Sequence, residues 1–392
     1  MRDSFLPFAP PLIGEEEIQE VFDTLKSGWL TTGPKTRKFA EQFSEYTQAT
    51  SALTVSSCTA ALHLSLLALE IGPGDEVITT PLTFAATANV IEHTGATLVL
   101  ADVQPDTLNI DPDQLERRIT DRTKACIVVH YAGHPVDLNR INEIADRHDI
   151  QVIEDAAHAI GASYQGAPIG CGDNPTCFSF YATKNLTTGE GGMLTGSSDL
   201  VEKARTLSLH GMSREAWGRY EAGGKWAYDI VAPGYKYNMT DIQAALGIQQ
   251  LARFEKMQAR RAEIVDRYQA AFGNDLAFQT PVCHSDVTHA WHLYVLRLNH
   301  AELTIDRNQF IEQVNAENIG TSVHFIPIHV HSYYANKYEW KPEDFPVALA
   351  NYSRMVSLPL SPKMSDQDVD DVISTVHQVV NRARRLKLPR AA

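Results

Sequence analysis

The chain has 392 residues, 44% hydrophobic and 21% charged, a composition that can bury a large core in two domains or in one with a smaller appendage. Its formal net charge of -14 opposes nonspecific binding to nucleic acid or to an anionic membrane, while leaving room for a local basic pocket. The five cysteines lack paired CxxC spacing, and the N-terminus is broken by Pro7 before any long apolar run. Neither a disulfide framework, a metal site, secretion nor membrane insertion is therefore expected, and the reducing cytoplasm is the expected location.

In chain order, residues 15–26 read as a helix with an acidic first turn and Gly28 just past its end. From about residue 50 to 200, β-rich runs at 52–55, 76–79, 97–101, 125–130, 151–154, 177–180 and 192–194 alternate with amphipathic stretches such as 138–147. This alternation predicts an α/β fold, a mainly parallel sheet covered by helices, with ligands at the carboxyl ends of the strands. Thr240 is the expected N-cap of a long helix from Asp241 to about Ala271. That helix leads from a large domain, residues 1–250, into a smaller C-terminal α+β domain, residues 251–392. There, 291–298 and 321–325 are expected strands, and 307–315 and 367–385 expected helices.

Two segments carry the chemistry. Lys184 follows the apolar run Phe178-Ser179-Phe180-Tyr181-Ala182-Thr183 and precedes Thr188-Gly189-Glu190-Gly191-Gly192; Asp155 ends an earlier strand, in Glu154-Asp155-Ala156-Ala157-His158. A lysine so placed can condense with the aldehyde of pyridoxal 5'-phosphate (PLP), and such an aspartate can keep the pyridine nitrogen protonated, making the ring an electron sink. Taken singly, Lys184 would be a surface lysine and Asp155 a cap; together they point to this cofactor. Ser56-Ser57-Cys58-Thr59-Ala60-Ala61 follows a strand and opens an apolar helix. Its hydroxyls and N–H groups suit a phosphate dianion, with Ser57, Thr59 and the backbone of Ala60 as contacts.

These segments resemble the DegT/StrS family of sugar aminotransferases, and the resemblance runs along most of the chain. It extends to Ser27-Gly28-Trp29-Leu30-Thr31-Thr32-Gly33-Pro34, Gly72-Pro73-Gly74-Asp75-Glu76-Val77-Ile78, His130-Tyr131-Ala132-Gly133 and Pro233-Gly234-Tyr235-Lys236-Tyr237-Asn238-Met239-Thr240-Asp241-Ile242. It implies a fold type I enzyme, a homodimer with shared active sites, a nucleotide-linked 4-keto sugar with UDP favoured, and the glutamate/2-oxoglutarate pair. It further implies that Phe84 stacks on the cofactor ring, His158 lies near that ring or its phenolic oxygen, Ser179 joins the phosphate contacts, and Asn238 reaches the partner's phosphate. Thr32, Gly33, Arg219, His324 and His329 are the implied substrate contacts. On base rates alone, Phe84 would be core, Asn238 a helix start and the histidines half-buried packing. The family's dehydratases carry histidine at the lysine position, so Lys184 counts against that activity; a 3-aminotransferase stays open. A noncatalytic PLP-binding regulator has no chemical need of Lys184.

Overall fold

The computed structural model describes residues 2–213 and 228–385, and the architecture is that of those residues. In chain order it contains α1 (Glu15–Ser27), α2 (Pro34–Thr47), β1 (Ser51–Val55), α3 (Cys58–Ala68), β2 (Glu76–Thr79), α4 (Ala85–Thr94), β3 (Thr97–Leu100), α5 (Pro112–Arg117), β4 (Thr123–Val129), α6 (Leu138–His148) and β5 (Gln151–Asp155). There follow β6 (Ser163–Tyr164), β7 (Ala167–Pro168), β8 (Thr176–Ser179), β9 (Gly192–Gly196), α7 (Ser198–Ser208), α8 (Asp241–Ala252) and α9 (Phe254–Phe272). The last part holds β10 (Phe278–Gln279), β11 (Val287–Thr288), β12 (Tyr294–Leu298), α10 (Arg307–Ala316), α11 (Ser332–Tyr338), α12 (Pro346–Tyr352), β13 (Met355–Leu358) and α13 (Asp366–Ala383).

Among the described residues, seven strands form one sheet in the order β1-β9-β8-β5-β4-β2-β3. Strands β8, β5, β4, β2 and β3 run parallel; β9 is antiparallel to both β8 and β1. The alternation of side chains along each strand divides the core between two faces. Val77, Ala125 and Ile127 join one apolar cluster with α3 and α4, while Ile78, Cys126 and Val128 join another with α6. Both faces are therefore covered, which explains why these strands read as continuous apolar runs. A second sheet, β10-β12-β13, is antiparallel and packs with α9, α10 and α13 in a separate core.

Local chemistry sets the helix ends. Glu17 accepts the Gly14 N–H at 2.8 Å, and Gly28 takes the left-handed conformation at φ 75° that closes α1. Thr240 caps α8 as expected, its Oγ1 accepting the Gln243 N–H at 3.3 Å. The long helix anticipated over 241–271 is instead two helices. Arg253 leaves helical geometry at φ -112°, ψ 12°, and its guanidinium meets Glu17 Oε1 at 2.7 Å, so that α8 stays against α1 and α2 while α9 turns toward the second core. The strand expected over 321–325 is also absent. Only Ser322 bridges, to Ser357, after which the chain leaves the sheet and carries His324 and Phe325 to a cavity wall.

Several contacts cross position 250. Strand β11 pairs with β6, Leu6 bridges to Ile319, and Tyr334, Phe345 and Ala348 enter the core that includes α3 and α4. Among the described residues no helix is long and apolar enough to cross a membrane.

Candidate active site

The carboxyl ends of β1, β2, β5 and β8 lie on one edge of the sheet, together with the start of the antiparallel β9. A cavity of about 540 Å³ opens there. Ser57, Thr59, Phe84 and Asp155 line it, as do His158, Ser179, Lys184 and His324. These eight expected residues come from segments that only the sheet topology unites.

Lys184 stands on the turn between β8 and β9. Its N–H bonds to Tyr181 O at 2.9 Å, and the same turn is closed by Thr188 N–H and Thr187 Oγ1, both donating to Phe180 O at 2.9 and 3.1 Å. The side chain keeps one side open to the cavity and is otherwise enclosed by protein. Burial pushes its pKa down to about 8, against the opposing pull of Cys58 and Asp155. At mildly alkaline pH a larger share of the amine is thus the unprotonated nucleophile than in an exposed lysine.

Asp155 ends β5 and is buried. Thr87 Oγ1 donates to its Oδ2 at 2.8 Å and the Ala157 N–H to its Oδ1 at 3.1 Å. Burial raises its pKa, while these two hydrogen bonds and the charges of Lys184 and His130 oppose the rise. The carboxyl group is held from two sides, and among the described residues it has no ion pair within 4 Å.

The first turn of α3 lies over the same edge. Ser57 is the N-cap, and its Oγ accepts the Ala60 N–H at 3.1 Å. The backbone donor expected from Ala60 is therefore taken by the cap; the N–H groups of Cys58 and Thr59, with no partner inside the helix, are the open ones. Gly192 lets β9 come this close: a Cβ there would lie 2.5 Å from Ser57 C and 2.6 Å from Cys58 N. Only a residue without a side chain fits.

Aromatic rings build the rest of the wall. Phe84 is the residue before α4 and is 63% exposed, its ring 5.8 Å from that of Phe325. His158 packs 4.3 Å from His292 and stacks on Phe325, and its buried Nδ1 has no hydrogen-bond partner among the described residues. His324 shares a hydrogen bond with Ser357 Oγ at 2.8 Å and stacks on Phe8. Burial lowers the pKa of all three histidines, with the charge of Lys184 adding to the effect, and that of His324 falls to about 4. They are neutral at physiological pH.

The remaining expected residues lie elsewhere. His329 is fully buried, its Nε2 bonded to Pro342 O at 3.0 Å and its ring against Phe345, and it does not line the Lys184 cavity. Asn238 donates to Thr32 Oγ1 at 2.8 Å, and both line a separate groove of about 850 Å³, wider than the Lys184 cavity but without its lysine and aspartate. Gly33 is pressed against Trp29, whose indole donates to Thr32 O. Arg219 falls outside the described residues. Sequence reasoning passed over Thr83, Thr87, His292 and Phe325. Only the threonines left a trace, standing one helical turn apart around Phe84.

Residues 11–377 match the DegT/DnrJ/EryC1/StrS aminotransferase family. The chain belongs to this family. It is 54% identical to the spore coat polysaccharide biosynthesis protein SpsC of Bacillus subtilis, over 97% of this chain and 99% of that one. The solved PLP form of Spr1654 from Streptococcus pneumoniae, a candidate sugar aminotransferase, is 39% identical, covers 96% of this chain and 99% of that one, and superposes with a TM-score of 0.90. Helicobacter pylori PseC, an aminotransferase of pseudoaminic acid biosynthesis, is 28% identical over 97% of this chain and all of its own, with a TM-score of 0.89. This family member is a PLP-dependent sugar aminotransferase of α/β fold. Its cavity fits the cofactor: it combines an amine of lowered pKa, a buried carboxylate, the positive end of α3 and an exposed aromatic ring.

Proposed function

We propose that the protein transfers an amino group from glutamate to a nucleotide-linked 4-keto sugar, giving 2-oxoglutarate and a nucleotide-linked amino sugar. The observation that carries the reading is the convergence of Lys184, Asp155 and the first turn of α3 on one cavity. When bound, PLP would supply an electron sink for the reacting carbon and a carrier for the amino group between donor and acceptor. Lys184 Nζ would be the group that holds the cofactor covalently, and as a free amine of pKa about 8 it would be suited to move the proton at the reacting carbon. Asp155, as a carboxylate, would accept a hydrogen bond from the protonated ring nitrogen, and Phe84 and His158 would border the ring. Ser57, Thr59, Ser179 and the open N–H groups of α3 bind the phosphate. In this reading Asn238 completes the phosphate site of a second copy, making a homodimer with shared sites. Arg219, Thr32 and Gly33 border the nucleotide and His324 faces the sugar.

The motifs are also similar to those of the UDP-4-amino-4-deoxy-L-arabinose–oxoglutarate aminotransferase, which favours a UDP-linked substrate. Glutamate-dependent amination of UDP-, dTDP- and GDP-linked keto sugars tests the proposal. Turnover of one of them with 2-oxoglutarate formation is expected; amination of free keto sugars alone, or of none, overturns it.

A further inference from the structure

Asp155 sits at the end of a chain of hydroxyl groups that the family motifs do not point to. Thr87 Oγ1 is 2.8 Å from Asp155 Oδ2 and 2.8 Å from Thr83 Oγ1. Both threonines are buried, and both line the cavity. The direction of the chain follows from valence. An ionised carboxylate accepts only, so the single hydrogen of the Thr87 hydroxyl goes to Asp155, and the hydrogen between the threonines must come from Thr83. Each hydroxyl polarises the next, and both bonds point charge stabilisation at Oδ2.

The two threonines flank Phe84, the residue before α4, and Thr87 lies in the first turn of that helix. The segment that presents the aromatic ring therefore also secures the carboxylate, and the positive end of α4 adds to the same effect. Ala157 N–H fixes the other oxygen, so the carboxyl plane is defined at both ends. Burial opposes ionisation here, and donors of this kind offset it.

We propose that Thr83 and Thr87 form a two-hydroxyl relay that keeps Asp155 ionised and fixed in orientation for its work at the cofactor ring nitrogen, which makes both of them positioning residues. The inference rests on the assignment of Asp155 to that nitrogen. Thr87→Val keeps the shape and removes the hydroxyl; kcat is expected to fall about 10- to 100-fold, the loss of one hydrogen bond to a charge, with the sugar KM changing less than about threefold. Thr83→Val acts in the same direction and more weakly, by about two- to fivefold, because it only polarises Thr87. The double variant should be no worse than Thr87→Val, since Thr83 then has no hydroxyl to polarise, and Thr87→Ser should restore most of the loss.

Two readouts stand apart from turnover: the pH dependence of the bound cofactor's visible absorbance, and the dissociation constant for PLP on the apoprotein. Both should shift in Thr87→Val and recover in Thr87→Ser, while the melting temperature of the apoprotein distinguishes damage to the fold. Additive losses in the double variant, no recovery with serine, or an unshifted absorbance titration overturn the relay. If Asp155→Asn also leaves the absorbance titration unchanged, the assignment of Asp155 falls with it; if Asp155→Asn shifts it and Thr87→Val does not, only the relay falls.

Discussion

Replacing Gly192 with alanine tests how the cavity edge proposed to bind the phosphate is held. The new methyl would lie 2.5 Å from Ser57 C, 2.6 Å from Cys58 N and 2.7 Å from Ser57 O, all of them backbone atoms that cannot rotate away. Ordinary contact requires β9 and the first turn of α3 to part by about 0.5–1 Å, which exceeds the tolerance of a preorganised site. Gly192 is paired to Val55 on one side and to Ser179 on the other, so the sheet resists the movement and α3 takes most of it. Overpacking of this kind costs about 1–3 kcal/mol. Where the strain is relieved by displacing the Cys58 and Thr59 N–H groups, it appears as roughly five- to a hundredfold weaker binding of a phosphate-bearing ligand. Apoprotein titrated with PLP and with pyridoxal, which lacks the phosphate, separates the effects: Gly192→Ala should weaken PLP strongly and pyridoxal little. Equal weakening of both, or unchanged PLP affinity with an unchanged melting temperature, would refute the reasoning.

Lys184→Ala should abolish the borohydride-reducible link and turnover while the fold persists; peptide mapping that finds the label on another lysine overturns the assignment. Because the folded pKa of Lys184 is lowered to about 8 from 10.5, the unfolded chain binds more protons between those values, so this residue's contribution to apoprotein stability rises with pH across that window. Denaturant titrations from pH 7 to 11 should show the rise in the native apoprotein and its loss in Lys184→Met. Mixing Asn238→Ala with Lys184→Ala under subunit exchange should restore partial activity, since each heterodimer then holds one site free of both lesions; no recovery places both residues in one subunit's site. Arg219→Ala should lower kcat/KM for the sugar nucleotide by about one to two powers of ten and leave the glutamate half-reaction nearly unchanged in stopped-flow traces.

The sheet was legible in the sequence because its strands are buried on both faces: runs such as 125–130 and 151–154 need no partner to be recognised. That Lys184, Asp155 and the α3 cap share a cavity could be anticipated because Asp155 ends a strand, the cap follows one and Lys184 stands on the turn after another. The break at Arg253 was not, since it depends on Glu17 in a distant helix. Nor was the fate of 321–325, where an apolar run that fits a strand makes a single bridge and then serves the cavity. His292 and His329 illustrate the same limit in opposite directions. Both are histidines beside apolar residues, and only the tertiary path sends one to the cavity and the other into the core.

The antiparallel strand β9 also bears on the order of assembly. Among the described residues β1 has β9 as its only sheet neighbour, so the edge carrying the first turn of α3 is anchored by residues that lie most of the large sheet's sequence away. Closing so long a loop is slow, and during synthesis it must wait for the chain to pass residue 196. The parallel strands β2 to β5 can pair before that point, whereas the edge beside the first turn of α3 cannot. The cavity beside the first turn of α3 is therefore complete only once β9 has joined the sheet, so a ligand of that cavity stabilises the assembled sheet and not its earlier pieces.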